Sequence, residues 1–245
     1  MTKERFCKII SPFLFILIWY GVAALVAAPL ILPYPHAVLL RLFELCRQTM
    51  LWKAFLFTFL RIILAFIISF AAGFVTGLLS ADYPTFKALL QFPFAVIRVT
   101  PAIACILFAL FWFTSDLVPV FTACLMAFPV ITSACEKGLA HTPENQEKLF
   151  RVKSRGFTGL KAFLYVRLPA ARQAMFSGLE SGFGLCWKVV VAGEVLSIPH
   201  YAAGSLMQKS QVHLETADTL AITLVIVIFS FAFQSLFRFI GKTHK

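Results

Sequence analysis

Of the charged residues inside long apolar stretches, three are singled out as functional candidates: Arg98, Lys188 and Glu194. A charge at membrane depth is costly, so such a residue faces a cavity, a partner or a solute pathway. Arg98 precedes Pro101 by three positions. Proline removes a backbone donor and leaves carbonyls for other groups to satisfy, which membrane helices tolerate beside a cavity or another helix. Arg98 and Pro101 therefore line a pathway, or Arg98 snorkels to the cytoplasmic interface. Lys188 lies deeper, roughly 27 Å from the inner end of its span at 1.5 Å per residue. It either favours a passing anion or pairs with a carboxylate. Glu194, six residues on, points about 120° away from Lys188 on one helix, so the two are not partners there. It belongs to the pathway, or it caps the turn at Ile198–Pro199. Glu180 sits near mid-depth on the same span, and the sequence offers it no partner.

Other chemistries find no residues to carry them. The G-x-x-x-x-G-K-[ST] phosphate loop does not occur, so this chain does not bind ATP that way. The histidines His36, His141, His200, His213 and His244 are scattered and form no metal-ligand cluster. Cys7, Cys46, Cys105, Cys124, Cys135 and Cys186 include no C-x-x-C pair and read as small apolar packing residues. No nucleophile stands with a base. The sequence therefore predicts no catalytic residue, no metal, no cofactor and no enzyme activity of its own. The two small-residue pairs Gly73-x-x-x-Gly77 and Gly178-x-x-x-Gly182 let helices approach closely, within one subunit or across a dimer seam. The 28 phenylalanines are read as lipid-facing or core residues, with no aromatic substrate box.

Composition states what must position these residues. Hydrophobic residues make up 60% of the 245 and charged residues 13%, with a mean hydropathy of +0.86. A soluble domain carries about 25% charged residues. This is an all-α polytopic membrane protein, read as a single domain over 1–245. Six spans are predicted: about Ser11–Leu32, Ala54–Ser80, Ala88–Phe113 (interrupted at Thr100–Pro101), Leu117–Ala134, Ala170–Ser197 and Thr216–Ile240. Each is long enough for a hydrocarbon core about 30 Å thick. A short amphipathic helix is expected in the outer segment Pro33–Lys53, a tight inner turn at Ala81–Lys87, and an outer turn at Asp116. The first apolar run, Ile9–Leu32, is too long for a signal peptide and reads as a retained helix.

The net charge of +11 does not indicate nucleic acid, because the basic residues sit at span ends and in loops. Fifteen Lys and Arg fall in predicted cytoplasmic segments and four in outer ones, with Arg61, Arg98 and Lys188 within spans. That bias places both termini in the cytoplasm. The long polar interruption is Glu136–Arg172, with eight basic residues against Glu136, Glu144 and Glu147. Thr142-Pro143-Glu144 predicts an N-cap with proline at the first helical position, opening a helix from about Pro143 to Ser154. Gly156 ends it, Leu160–Arg167 allows a further turn or two, and Leu168-Pro169 opens the next span.

This loop resembles the E-A-A-x3-G-x9-I-x-L-P segment of the membrane subunits of bacterial ATP-binding-cassette importers. Gly156 takes the glycine, Val166 the isoleucine, and Leu168-Pro169 the terminal pair. The E-A-A falls on Phe150-Arg151-Val152 and is lost, while Glu147 lies one helical turn earlier. The rest of the chain is most similar to the nitrate, sulfonate and taurine permeases. Leu32-Pro33-Tyr34-Pro35-His36-Ala37-Val38 resembles L-P-S-P-x-x-V, and Ile97-Arg98-Val99-Thr100-Pro101 resembles L-R-P-I-P. Trp187 with Glu194 matches a tryptophan followed by A-E, with Gly193 replacing the alanine. The resemblance implies a homodimeric pore in the lipid membrane, two copies of a separate ATPase, and an extracytoplasmic substrate-binding protein. It implies alternating access, a small anionic solute, and a coupling helix carrying Glu147, Leu149, Phe150, Arg151 and Gly156. Related permeases serve thiamine-precursor-like or flavin-like solutes. A self-contained secondary transporter is the other class, but it would need an internal repeat and an ion site, and no repeat links the halves.

Overall fold

A computed structural model describes residues 3–140 and 163–242, which form helices joined by short turns. In chain order these are α1 (Lys3–Val26), α2 (Pro35–Cys46), α3 (Thr49–Asp82), α4 (Pro84–Val99), α5 (Ala102–Ala109) and α6 (Leu117–Leu139). A π-helical turn, Phe163–Arg167, leads into α7 (Leu168–Ser197), followed by α8 (Ala203–Val212) and α9 (Thr216–Lys242). Among the described residues there is no strand.

α6 is the centre of the bundle, packed against both α3 and α7. Helices surrounded by lipid gain little from hiding apolar surface from one another, so close backbone approach has to hold them. The glycines supply it. A Cβ on Gly73 would stand 2.8 Å from Ile131, and one on Gly77 2.6 Å from Cys135. On an adjoining face of α6, a Cβ on Gly178 would meet Ala134 at 2.1 Å and one on Gly182 would meet Ile131 at 2.7 Å. Both small-residue pairs thus pack against α6 of the same chain. Ile131, at the crossing, is fully buried.

Among the described residues three helices are long and apolar enough to cross a membrane: α3, α6 and α9 over Thr216–Leu236. The α4–α5 pair makes a fourth if it is one broken span. The six-span reading also used α1, whose described apolar part is the shorter Ile10–Val26. It used α7 as well, which has 30 residues but carries Arg172, Glu180, Lys188 and Glu194. The boundaries moved for physical reasons. α3 begins at Thr49 and runs 34 residues, about 51 Å, so it exceeds the hydrocarbon thickness. The expected inner turn shrinks to Tyr83 alone, because Pro84 starts α4 in the first-turn position that suits proline.

At Thr100–Pro101 the chain bends by 96° between α4 and α5. Thr100 is extended (φ −67°, ψ 125°), as a residue before proline tends to be. α5 forms a small apolar cluster of its own, with Ile106 and Ala109 against Val118 and Phe113, separate from the main core. α2 is the outer helix expected after the first span. Arg41 on α2 makes a bidentate pair with Asp218 in the first turn of α9, at 2.6 and 2.7 Å. That pairing raises the Arg41 pKa further above its already high value. The outer segment 198–215 contains α8, a helix the sequence reading did not anticipate.

Candidate functional site

The ends of α3 and α7 that the Lys/Arg bias assigns to the outer side, their outer ends, converge on one buried charge network. Glu194 belongs to the last turn of α7 and is fully buried. Its Oε1 accepts from Arg61 Nη1 at 3.0 Å. Its Oε2 accepts from Thr58 Oγ1 at 2.9 Å and from the Gly204 backbone N–H at 3.1 Å. Gly204 is in the first turn of α8, where a carboxylate meets unpaired N–H groups and the positive end of the helix dipole. Glu194 therefore caps α8, not the Ile198–Pro199 turn; Ile198 itself donates only to the Glu194 backbone carbonyl. The next N–H, of Ala203, donates to Thr58 Oγ1 at 2.9 Å. Gly204 is required by contact: a Cβ there would lie 2.6 Å from Glu194 Cβ and 2.6 Å from the Val191 carbonyl.

Arg61 completes the cluster. Its guanidinium also donates to the Tyr201 carbonyl at 2.8 Å and to Asp116 Oδ1 at 2.5 Å. One arginine thus ties α3 to α7, to the α7–α8 turn, and to the turn before α6. A buried carboxylate needs this many donors to offset its lost hydration. Sequence reasoning noted Arg61 within a span and Asp116 at an outer turn but did not join them to Glu194. The signal was present: an arginine and a glutamate near the outer ends of two different spans each need an opposite charge.

The inner end is held differently. Arg167, closing the π-helical turn, donates to Asp82 at 2.7 Å and to the Leu139 carbonyl at 3.0 Å. Lys87 pairs with Glu136 at 2.7 Å, linking α4 to the last turns of α6. Leu168 and Pro169 open α7, as the sequence indicated, with proline in the first turn. Glu147, Leu149, Phe150, Arg151 and Gly156, with the expected helix over Pro143–Ser154, lie outside the described residues.

The remaining singled-out residues are placed apart. Arg98, exposed in the last turn of α4, donates to the Pro129 carbonyl at 3.0 Å and to Ser133 Oγ on α6. A cation suits the negative end of a helix dipole. Pro101 lies beyond the bend and lines a cavity of about 540 Å³ with Ala95, Val96, Val99 and Thr100. Lys188 is exposed on α7 and makes no ion pair among the described residues. Glu180 is half-buried on the same helix. Trp187 is buried against Phe183 and Phe233. Among the described residues no group of acids, histidines or cysteines could hold a metal, and Cys46, Cys105, Cys124, Cys135 and Cys186 are free thiols.

Glycine-packed apolar helices around α6, a helix pair bent at Thr100–Pro101, and a buried charge network define a polytopic membrane protein. The chain belongs to the binding-protein-dependent transport system inner membrane component family, whose model matches residues 73–243. It is 29% identical over 230 residues to a probable ABC transporter permease protein of Haemophilus influenzae, covering 91% of each chain. It is also 28% identical over 228 residues to the taurine transport system permease protein TauC of Escherichia coli, covering 89% of this chain and 80% of that one. The all-α polytopic architecture and the permease reading of the sequence agree with these relatives.

Proposed function

We propose that this chain is the permease subunit of an ATP-driven importer that carries a small anion such as nitrate, a sulfonate or taurine. ATP is hydrolysed on separate ATP-binding-cassette subunits. An extracytoplasmic binding protein delivers the solute, and two copies of this chain form the pathway, with both termini in the cytoplasm. Membership of the family supports the subunit reading, and the likeness to a permease named for taurine supports the solute class. The observation that carries the sign of the pathway is Lys188: a cation within a membrane helix, exposed and without an ion-pair partner among the described residues. Arg98 and Pro101 line the same route at the broken span. Glu194 supports it from behind by holding α8. On the cytoplasmic side, Glu147, Leu149, Phe150, Arg151 and Gly156, with Leu168 and Pro169 at the exit, take the thrust of the ATPase.

The test is reconstitution with the cognate ATPase and binding protein in lipid vesicles, following uptake of labelled taurine, nitrate and an alkanesulfonate. ATP-dependent uptake of one of these is expected. Lys188→Gln should lower it by about ten- to a hundredfold, the worth of one charge-assisted hydrogen bond of about 1.5–3 kcal/mol, while leaving assembly with the ATPase intact. Normal uptake by that variant, or a cationic heterocycle retained by the binding protein in a native mass spectrum, overturns the anion reading. Uptake driven by an ion gradient with no ATPase present overturns the importer reading.

A further inference from the structure

The two carboxylates on Arg61 stand in unlike surroundings. The Glu194 side chain is fully buried and has two further donors, whereas the Asp116 side chain is 66% exposed and has Arg61 as its one partner among the described residues. Separating Glu194 from Arg61 would strand a charge in the interior. Separating Asp116 would hand its carboxylate to water at small cost. Asp116 also stands at a corner with a small apolar cluster of its own, joined to the main core through Ala102 of α5 and through α6, which carries Val118. It precedes α6 at the close of the α5 segment, whose apolar cluster of Ile106, Ala109, Val118 and Phe113 is distinct from the one centred on α6. Beyond helix packing, that outer corner is tied to the bundle by two polar contacts at adjacent residues. They are Asp116 to Arg61, and the Ser115 carbonyl accepting from Ser197 Oγ at 2.9 Å. Both lead to the outer ends of α3 and α7.

The geometry points to Asp116 as a positioning residue for transport. Its contact with Arg61 is the releasable arm of a clamp that holds the α5–α6 corner shut against α3 and α7, while Glu194 keeps Arg61 and α8 in place throughout. This rests on the importer reading, and the wild-type vesicles described above test that reading separately. The asymmetry of exposure selects the moving arm: a latch must break without leaving a buried charge, and Asp116 alone meets that condition.

The experiment uses Val118→Cys, fully buried in the corner cluster, as reporter in the whole membrane complex. Its labelling rate by a membrane-impermeant maleimide is read by peptide mass spectrometry, which separates it from the native cysteines. Adding Asp116→Asn should raise the labelling rate roughly two- to fivefold, the population shift an exposed ion pair is worth. The same variant without the reporter should raise ATP hydrolysis in the absence of binding protein by a similar factor. Asp116→Glu should restore both. Unfolding temperature should not move, which separates a latch from a merely structural contact. Unchanged labelling and unchanged basal hydrolysis in Asp116→Asn, with wild-type uptake intact, overturn the proposal. So does a variant that loses both folding and the Glu rescue.

Discussion

The outer and inner ends of this bundle are tied by similar residues in opposite settings. At the outer end Arg61 and Glu194 are buried, and each Glu194 oxygen has a named donor. At the inner end Lys87 is 58% exposed and Glu136 21% exposed, while the Arg167 side chain is nearly as buried as that of Arg61 and its partner Asp82 is 31% exposed. The same chemistry is worth different amounts in the two places. Losing one partner of a buried pair leaves a desolvated charge and costs about 3–5 kcal/mol. An exposed pair contributes about 0–1 kcal/mol and less as salt rises. The buried Arg61–Glu194 pair is therefore a frame, and the Lys87–Glu136 pair is a contact that can be remade. An end adjoining the 136–172 loop has reason to be the yielding one if that loop receives force from a partner.

This contrast can be broken most decisively at Arg61. Arg61→Ala should destabilise the protein by about 3–5 kcal/mol, because it strands Glu194. Pairing it with Glu194→Gln should recover much of the loss, since the amide oxygen can still accept from Thr58 and Gly204 and the one carboxylate left unpaired, Asp116, is exposed. Thermal unfolding in detergent or nanodiscs reads both. If the double variant is no better than the single one, the cost lies in packing and the frame is not electrostatic.

Packing supplies the next test, because the contrast applies to charges and not to helix approach. At the outer end a Cβ on Gly204 would meet Glu194 Cβ and the Val191 carbonyl, both at 2.6 Å. At the inner end a Cβ on Gly138 would meet the Ala171 carbonyl at 2.8 Å and Ala171 Cα at 3.1 Å. Gly204→Ala and Gly138→Ala should each cost about 1–3 kcal/mol by overpacking. A silent Gly138→Ala would show that α6 and α7 are free to separate at their inner ends, sharpening the difference beyond what the charges alone indicate.

The smallest effect belongs to the surface pairs. Lys87→Ala should shift stability by no more than about 1 kcal/mol, and the shift should vanish in high salt. The Arg61 variants should show no such salt dependence. A large, salt-insensitive loss for Lys87→Ala would place the inner end in the same class as the outer one and remove the contrast.

Much of the architecture was legible along the chain. Apolar run lengths report each segment's own preference for lipid or water, so the long apolar helices and the polytopic class could be read from local composition. The break at Thr100–Pro101 was equally local, because proline restricts its neighbour wherever it stands. The start of α7 at Leu168–Pro169 followed from the same chemistry. The glycine pairs announced close contact but not its target. That both face α6 depends on how three helices cross.

The outer network was decided by tertiary structure alone. Glu194 meets Arg61 across 133 positions, and Ala203 meets Thr58 across 145. Hydrogen-bond partnership depends on distance and angle in space, and sequence spacing constrains those only within an element. α8 was missed for a related reason. Its residues carry no strong apolar period, and its first turn is completed by a carboxylate from the preceding helix and a hydroxyl from α3. A helix whose cap is supplied from elsewhere in the chain leaves little mark in its own sequence. Apolar burial and backbone preference are properties a residue carries with it; satisfaction of a buried charge belongs to the set of groups that surround it, and only folding assembles that set.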